Sequence, residues 1–160
     1  MQEEPQKEHR WLEKLVGDWT FEGEAAAESG MTAEKYTGTE SVRSLGGLWV
    51  VCEGKGDVPE GEPSTTIMSL GYDPTRKRYM GTFIGSMMAH MWIYDGELDA
   101  EGRVLTLDTE GPGVSGDGKM AKYKDRIEFK SDNHRVLTSH YQDADGNWQE
   151  FMTSHNRRKK

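Results

Sequence analysis

The segment Gly85–Asp99, GSMMAHMWIYDGELD, concentrates side chains suited to holding a small molecule. Methionine is flexible and polarizable, so it adapts to irregular ligand surfaces as well as to core gaps. A strand sends alternate residues to one face, which groups His90, Trp92 and Tyr94 together and leaves Met91 and Ile93 on the other face. We expect the first group to face inward and the two adjacent methionines to form a rim. The predicted ligand-binding residues are therefore His90, Trp92, Tyr94, Met87 and Met88.

The histidines predict no metal site. None of the five stands in the His-x-x-x-His or Glu-x-x-His spacing of helical metal sites. His9 and His134 are expected to face water, one before the first strand and the other in a turn. His90, His140 and His155 are expected in the middle of strands, where an inward histidine more often bonds a neighbour than a ligand.

Acidic and thiol side chains give no catalytic assignment. Glu53, Asp125 and Glu150 lie in strand-like segments, and we expect at most one or two of them to point inward beside an arginine. Cys52 lies in the apolar run LWVVCEG, which favours a buried, unreactive thiol. No nucleophile elbow, phosphate-binding loop or dinucleotide fingerprint is present, so catalytic residues stay unknown.

The elements that position these residues are one helix and a series of strands. A helix is predicted from about residue 5 to 16, with Pro5 in its first turn, Gly17 at its end and an apolar face. Ten β-rich segments follow, separated by Gly, Asp, Asn and Pro turns. The predicted strands are 18–28, 32–45, 47–56, 64–71, 77–84, 89–97, 103–110, 119–130, 134–142 and 147–157.

Composition limits the function classes. The chain has 160 residues and a formal charge of −8, which argues for one domain over 1–160 and against nucleic-acid binding. No long apolar span and no leader-like start are present, so we expect a cytoplasmic protein without membrane association. Sequential strands with short turns expose two edges unless they close, which predicts a barrel over about 17–158.

The stretch LVGDWTFEGE, with Gly17 and Trp19, resembles the Gly-x-Trp start of the calycin barrels, which include lipocalins and fatty-acid-binding proteins. In that group a basic residue of the last strand stacks on the tryptophan. The resemblance implies that Arg157 or Arg158 plays this role, together with Trp19, in closing the barrel.

Longer blocks, including LGGLWVVCEG and LGYDPTRKRYMGTFIGSMMAHMWIYDGELD, resemble an uncharacterised bacterial family with a lipocalin-like barrel. This resemblance covers about residues 9–159 and implies a fold, but it transfers no binding residue. A looser likeness to nitrobindin-type barrels implies haem, held by a histidine near the C-terminal end. The candidates for that ligand here are His140 and His155.

The sequence therefore predicts an all-β, antiparallel, up-and-down barrel of about eight to ten strands with a short N-terminal helix. The function that this fold favours is non-enzymatic binding of a small, largely apolar molecule in the barrel. One alternative is haem-dependent or isomerase-type chemistry in the same cavity. The other is an interaction protein that acts through an outer face as a homodimer.

Overall fold

A short helix opens the chain in the computed structural model, which describes residues 2–25, 34–57, 61–113 and 116–159. Helix α1 covers Lys7–Leu12 and continues as a single 3-10 turn over Glu13–Leu15. The prediction that Pro5 lies in the first helical turn is wrong. Gln6 is still extended, and its backbone N–H donates to Nδ1 of His9 at 2.9 Å, so the helix begins only at Lys7.

Helix α1 closes one end of the molecule with its apolar face. Trp11, Leu12 and Leu15 are buried, and the Trp11 indole packs edge-on against Phe129. Its N–H donates to the carbonyl oxygen of Gly102 at 2.7 Å, which ties the helix to a turn at that end of the strands. The amphipathic spacing in the sequence thus translates directly into burial.

The strands form one closed antiparallel barrel, which confirms the predicted fold. Each strand pairs with its neighbours in the sequence, and the first strand pairs with the last, so none of the ten described strands forms an open edge. The predicted strand ends at 26–28 and 32–33 lie outside the described residues. The strands are β1 Gly17–Ala25, β2 Glu34–Leu45, β3 Trp49–Gly56, β4 Ser64–Asp73, β5 Arg78–Gly85, β6 Trp92–Leu98, β7 Val104–Pro112, β8 Met120–Ser131, β9 His134–Gln142 and β10 Trp148–Arg158.

Three histidines lie elsewhere than predicted. His9 is 3% exposed instead of facing water, because its Nε2 lies 3.0 Å from the carbonyl oxygen of Tyr72. His134 is half-buried instead of facing water, and it begins β9, as the predicted strand 134–142 does, and does not lie in the turn. His90 precedes β6, which begins only at Trp92, so it is not in the middle of a strand.

Candidate functional site

The barrel encloses a cavity of about 670 Å³. It extends from α1 toward the opposite end of the barrel, which we call the far end. Strand alternation decides which side chains line it. In β6, Trp92 and Tyr94 line the cavity, whereas Ile93 between them is 67% exposed on the outer face. Leu15 lines the cavity at the helix end.

Most of the cavity wall is apolar. Four methionines of the described ranges line it, Met68, Met87, Met88 and Met152. We call its ring-bearing part the aromatic wall, which consists of Phe21, Tyr36, Phe83, Trp92, Tyr94, Tyr123 and Phe151. The Trp92 and Tyr123 rings meet edge to face, with centroids 4.9 Å apart. Such contacts hold large rings in fixed orientations around the space that they enclose.

The structure brings four of the five predicted ligand-binding residues to this cavity. Met87, Met88, Trp92 and Tyr94 line it, and the Trp92 indole N–H points at the Met88 sulfur at 3.0 Å. His90 does not line it. Its Nε2 lies 3.1 Å from the carbonyl oxygen of Glu110, and its ring packs edge-on against Trp92. His90 therefore supports the aromatic wall from behind, and the ligand-binding role of all five residues stays a prediction.

One polar group of the cavity is an ion pair that the sequence analysis missed. Arg135 of β9 donates to Oε1 of Glu40 in β2, and its side chain is 5% exposed. Asn156 also reaches Oε1 of Glu40, at 3.5 Å, and the Ser154 hydroxyl donates to the amide oxygen of Asn156 at 3.2 Å. We call these four residues the ion-pair cluster. Because the charges lie side by side, the cluster brings polarity to the cavity with little net charge.

A second polar group contains Asp125, which the sequence analysis considered as an inward acid. The Tyr94 hydroxyl donates to Oδ2 of Asp125, and Ser139 is paired with Asp125 across β8 and β9. Burial raises the pKa of Asp125, although Tyr94, Ser139 and the nearby His140 act in the opposite direction. Burial, reinforced by the Asp125 charge, raises the pKa of Tyr94 well above its ordinary value, so the phenol stays protonated.

Glu53 and Glu150 do not point into the cavity, whereas the Cys52 thiol is buried there. Glu53 lies 3.8 Å from Arg43 in a largely exposed ion pair, and Glu150 is exposed. Cys52 lines the cavity, and burial raises the pKa of its thiol, which keeps it protonated. Asp125 is thus the one inward acid among the three that were considered.

Trp19, the residue expected to close the barrel, is completely buried near α1. Its indole N–H donates to the carbonyl oxygen of Leu15 at 2.9 Å. The Arg158 guanidinium lies 4.2 Å from the ring centroid and donates to the Val16 carbonyl oxygen at 2.7 Å. Arg157 instead points outward and pairs with Glu22 at 2.9 Å.

The two histidines proposed as haem ligands lie outside the cavity. Ser139 lines it, so His140 points to the opposite face, where Nε2 lies 3.6 Å from Glu150. Ser154 and Asn156 line it, so His155 also points outward and stacks on His134, with Nδ1 3.0 Å from Nε2. These residues do not fit a haem held inside the barrel by either histidine.

In the described ranges, no group of three or more His, Cys, Asp or Glu side chains is placed to hold a metal ion. No helix in the same ranges is long and apolar enough to cross a membrane.

Comparisons with known proteins address the fold and the family. The model of the family DUF1579, described as a protein of unknown function, matches residues 4–158. No curated protein matches the chain.

Solved structures resemble the barrel at low sequence identity. The crystal structure of Rv2717c from M. tuberculosis has a TM-score of 0.67 and 13% identity, covering 98% of this chain and 100% of that one. A redesigned β-barrel has a TM-score of 0.50 and 11% identity, covering 94% of this chain and 96% of that one. At these identities the likeness shows the fold alone.

Proposed function

The chain belongs to the DUF1579 family, and we propose that it binds a small, largely apolar molecule inside its barrel. The observation that carries this proposal is the cavity of about 670 Å³, walled by aromatic rings and methionines. Ligand sites in proteins are typically cavities of ~300–1,000 Å³ with mostly apolar walls and a few polar groups that orient the ligand. The size and the lining of this cavity both match that description.

Binding draws on the apolar wall for affinity and on the polar clusters for orientation. Each Å² of apolar ligand surface removed from water contributes roughly 25 cal/mol before the costs of association. The ion-pair cluster and the Asp125 carboxyl supply the few polar groups that such a cavity needs. We propose binding without catalysis; the one thiol of the chain, Cys52, lines the cavity, and burial raises its pKa, which disfavours the thiolate form that a nucleophile needs.

Filling the cavity tests the proposal. Thr66 of β4 lines the cavity, whereas its neighbour Thr65 faces outward. Phenylalanine suits a strand at either position, so Thr66→Phe and Thr65→Phe form a matched pair. The measurement is the fluorescence of Nile red, a neutral apolar dye that brightens on leaving water.

We expect the wild type and Thr65→Phe to bind the dye with equal affinity. Thr66→Phe should weaken binding at least about tenfold, or ~1.4 kcal/mol, because the new ring occupies the ligand space. Equal thermal stability of the two variants would show that the barrel is intact. Dye binding that is absent in the wild type, or unaffected by Thr66→Phe, would contradict the proposal.

A further inference from the structure

Acidic side chains outnumber basic ones among the described residues that line the cavity. Among the described lining residues there is one base, Arg135, against the acids Glu40, Asp57 and Asp125. Arg135 is already paired with Glu40, so its charge is compensated within the protein. Two carboxyl groups therefore remain, Asp57 toward the far end and Asp125 inside, with no lining lysine or histidine in the described ranges to offset them.

Asp125 has neutral partners at the cavity. Tyr94 donates to Oδ2, and Ser139, the residue paired with Asp125 on β9, also lines the cavity. A carboxylate offers about four lone-pair positions, so even a hydroxyl donor from each of these residues leaves acceptor capacity for a third group. Thr109 also lines the cavity, and its buried hydroxyl has no hydrogen-bond partner in the part of the chain that the structure describes. The carboxylate of Asp125 has room for a further donor, and the Thr109 hydroxyl lacks a partner of either kind, so both observations indicate a missing polar group at this wall of the cavity.

The aromatic wall also favours a positively charged ligand. Ring faces attract cations with about 0.5–2 kcal/mol each, and the attraction is larger where water is excluded. A negative lining repels a carboxylate ligand, whereas an ammonium group would neutralise Asp125 and donate up to three hydrogen bonds. The formal charge of −8 on the chain also draws cations toward the protein.

We infer that the barrel selects an organic cation: an amine with an apolar body, whose ammonium group lies at Asp125. This inference rests on the proposed function, because it assigns the ligand class of the same cavity. The apolar body would lie along the methionines and the aromatic wall.

Three probes with the same alkyl chain separate this inference from the proposed function. Decylamine, decanol and decanoate present an ammonium, a hydroxyl and a carboxylate group on the same apolar chain. Each is titrated by calorimetry at neutral pH, below the concentration at which it aggregates. We expect decylamine to bind at least about tenfold more tightly than decanol, and decanoate to bind most weakly.

The variant Asp125→Asn keeps the shape of the side chain and removes its charge. It should lose the preference for decylamine over decanol while retaining decanol binding, which also shows that the cavity is intact. Asp108→Asn is the matched control, because Asp108 is 56% exposed and lies 3.9 Å from Lys124, outside the cavity. We expect Asp108→Asn to retain the wild-type preference.

The outcomes distinguish the two proposals. Decanol or decanoate binding as tightly as decylamine to the wild type would overturn the cation inference and leave the binding function in place. Failure of all three probes to bind would overturn both. An amine preference that survives in Asp125→Asn would overturn the assignment of the ammonium to Asp125. The comparison of probes on the wild type needs no variant to fold.

Discussion

Replacement of Trp19 by alanine tests whether this residue closes the barrel at the helix end. The indole is completely buried and donates a hydrogen bond to Leu15. Two guanidinium groups face the ring, Arg158 at 4.2 Å and Arg135 at 4.5 Å from its centroid. The side chain thus joins the 3-10 turn after α1, the last strand and the ion-pair cluster of the cavity.

The expected loss follows from these contacts. Truncation of a buried tryptophan to alanine costs about 3–5 kcal/mol, depending on how far the site collapses. Because the indole donor and both cation–π contacts disappear as well, we expect a value at or above the middle of that range. For a domain of this size, each kcal/mol lowers the melting temperature by about 2–4 °C. A loss of about 4 kcal/mol therefore lowers it by about 8–16 °C.

Urea unfolding followed by circular dichroism measures the change in unfolding free energy. Trp148→Ala is the matched control, since Trp148 is 39% exposed although Lys124 lies over its ring at 4.3 Å. We expect that control to cost less than about 1 kcal/mol. A double-mutant cycle with Arg158→Met isolates the ring–guanidinium coupling, for which we expect about 0.5–2 kcal/mol.

If Trp19→Ala lowered the free energy of unfolding no more than Trp148→Ala does, Trp19 would not close the barrel. A coupling energy near zero, with a large cost for Trp19→Ala alone, would show that burial stabilises this end without help from Arg158.

Two further predictions concern the cavity. Because burial raises the folded-state pKa of Asp125 above its unfolded value, its stabilising contribution is complete at acid pH and is lost as pH rises through the folded pKa. Asp125→Asn should therefore become more stable relative to wild type as pH rises above about 4, the ordinary pKa of an aspartate, and a pH-independent difference in melting temperature would contradict this. A bromine-terminated decanol bound in the cavity should quench tryptophan emission on contact. Trp92→Phe should lose most of that quenching. The control Trp49→Phe, which changes a tryptophan outside the cavity, should keep it. Undiminished quenching in Trp92→Phe would place the probe elsewhere.

Much of the fold was readable from local patterns. Turn residues such as Gly46 and Gly47, which adopt positive φ values of 66° and 75°, separate β-rich segments whose bounds match the strands closely. Closure followed from the number of strands and the need to remove sheet edges. The start of the helix was less predictable, because it depends on the ring of His9 accepting a hydrogen bond from the backbone of Gln6.

The residues that line the cavity could be predicted from the sequence only in part. Alternation grouped Trp92 with Tyr94, but it could not say which group faces inward, and it misplaced His90 because β6 begins later than predicted. Asp125 looked like the other strand acids, since an inward carboxyl and an outward one occupy equivalent positions in a strand pattern. Their difference appears only when the closed barrel places Tyr94 of β6 and Ser139 of β9 beside one of them.

The sequence by itself determined the number of strands, their order and the apolar face of the helix, because these depend on side-chain period and turn chemistry within a few residues. Tertiary structure alone decided the polar interior. Glu40 and Arg135 are 95 positions apart, and they meet only because closure of the barrel through β1 and β10 brings β2 and β9 to the same part of its interior. A slip of one residue would turn either side chain to the outer face, so their contact depends on the pairing of strands around the barrel.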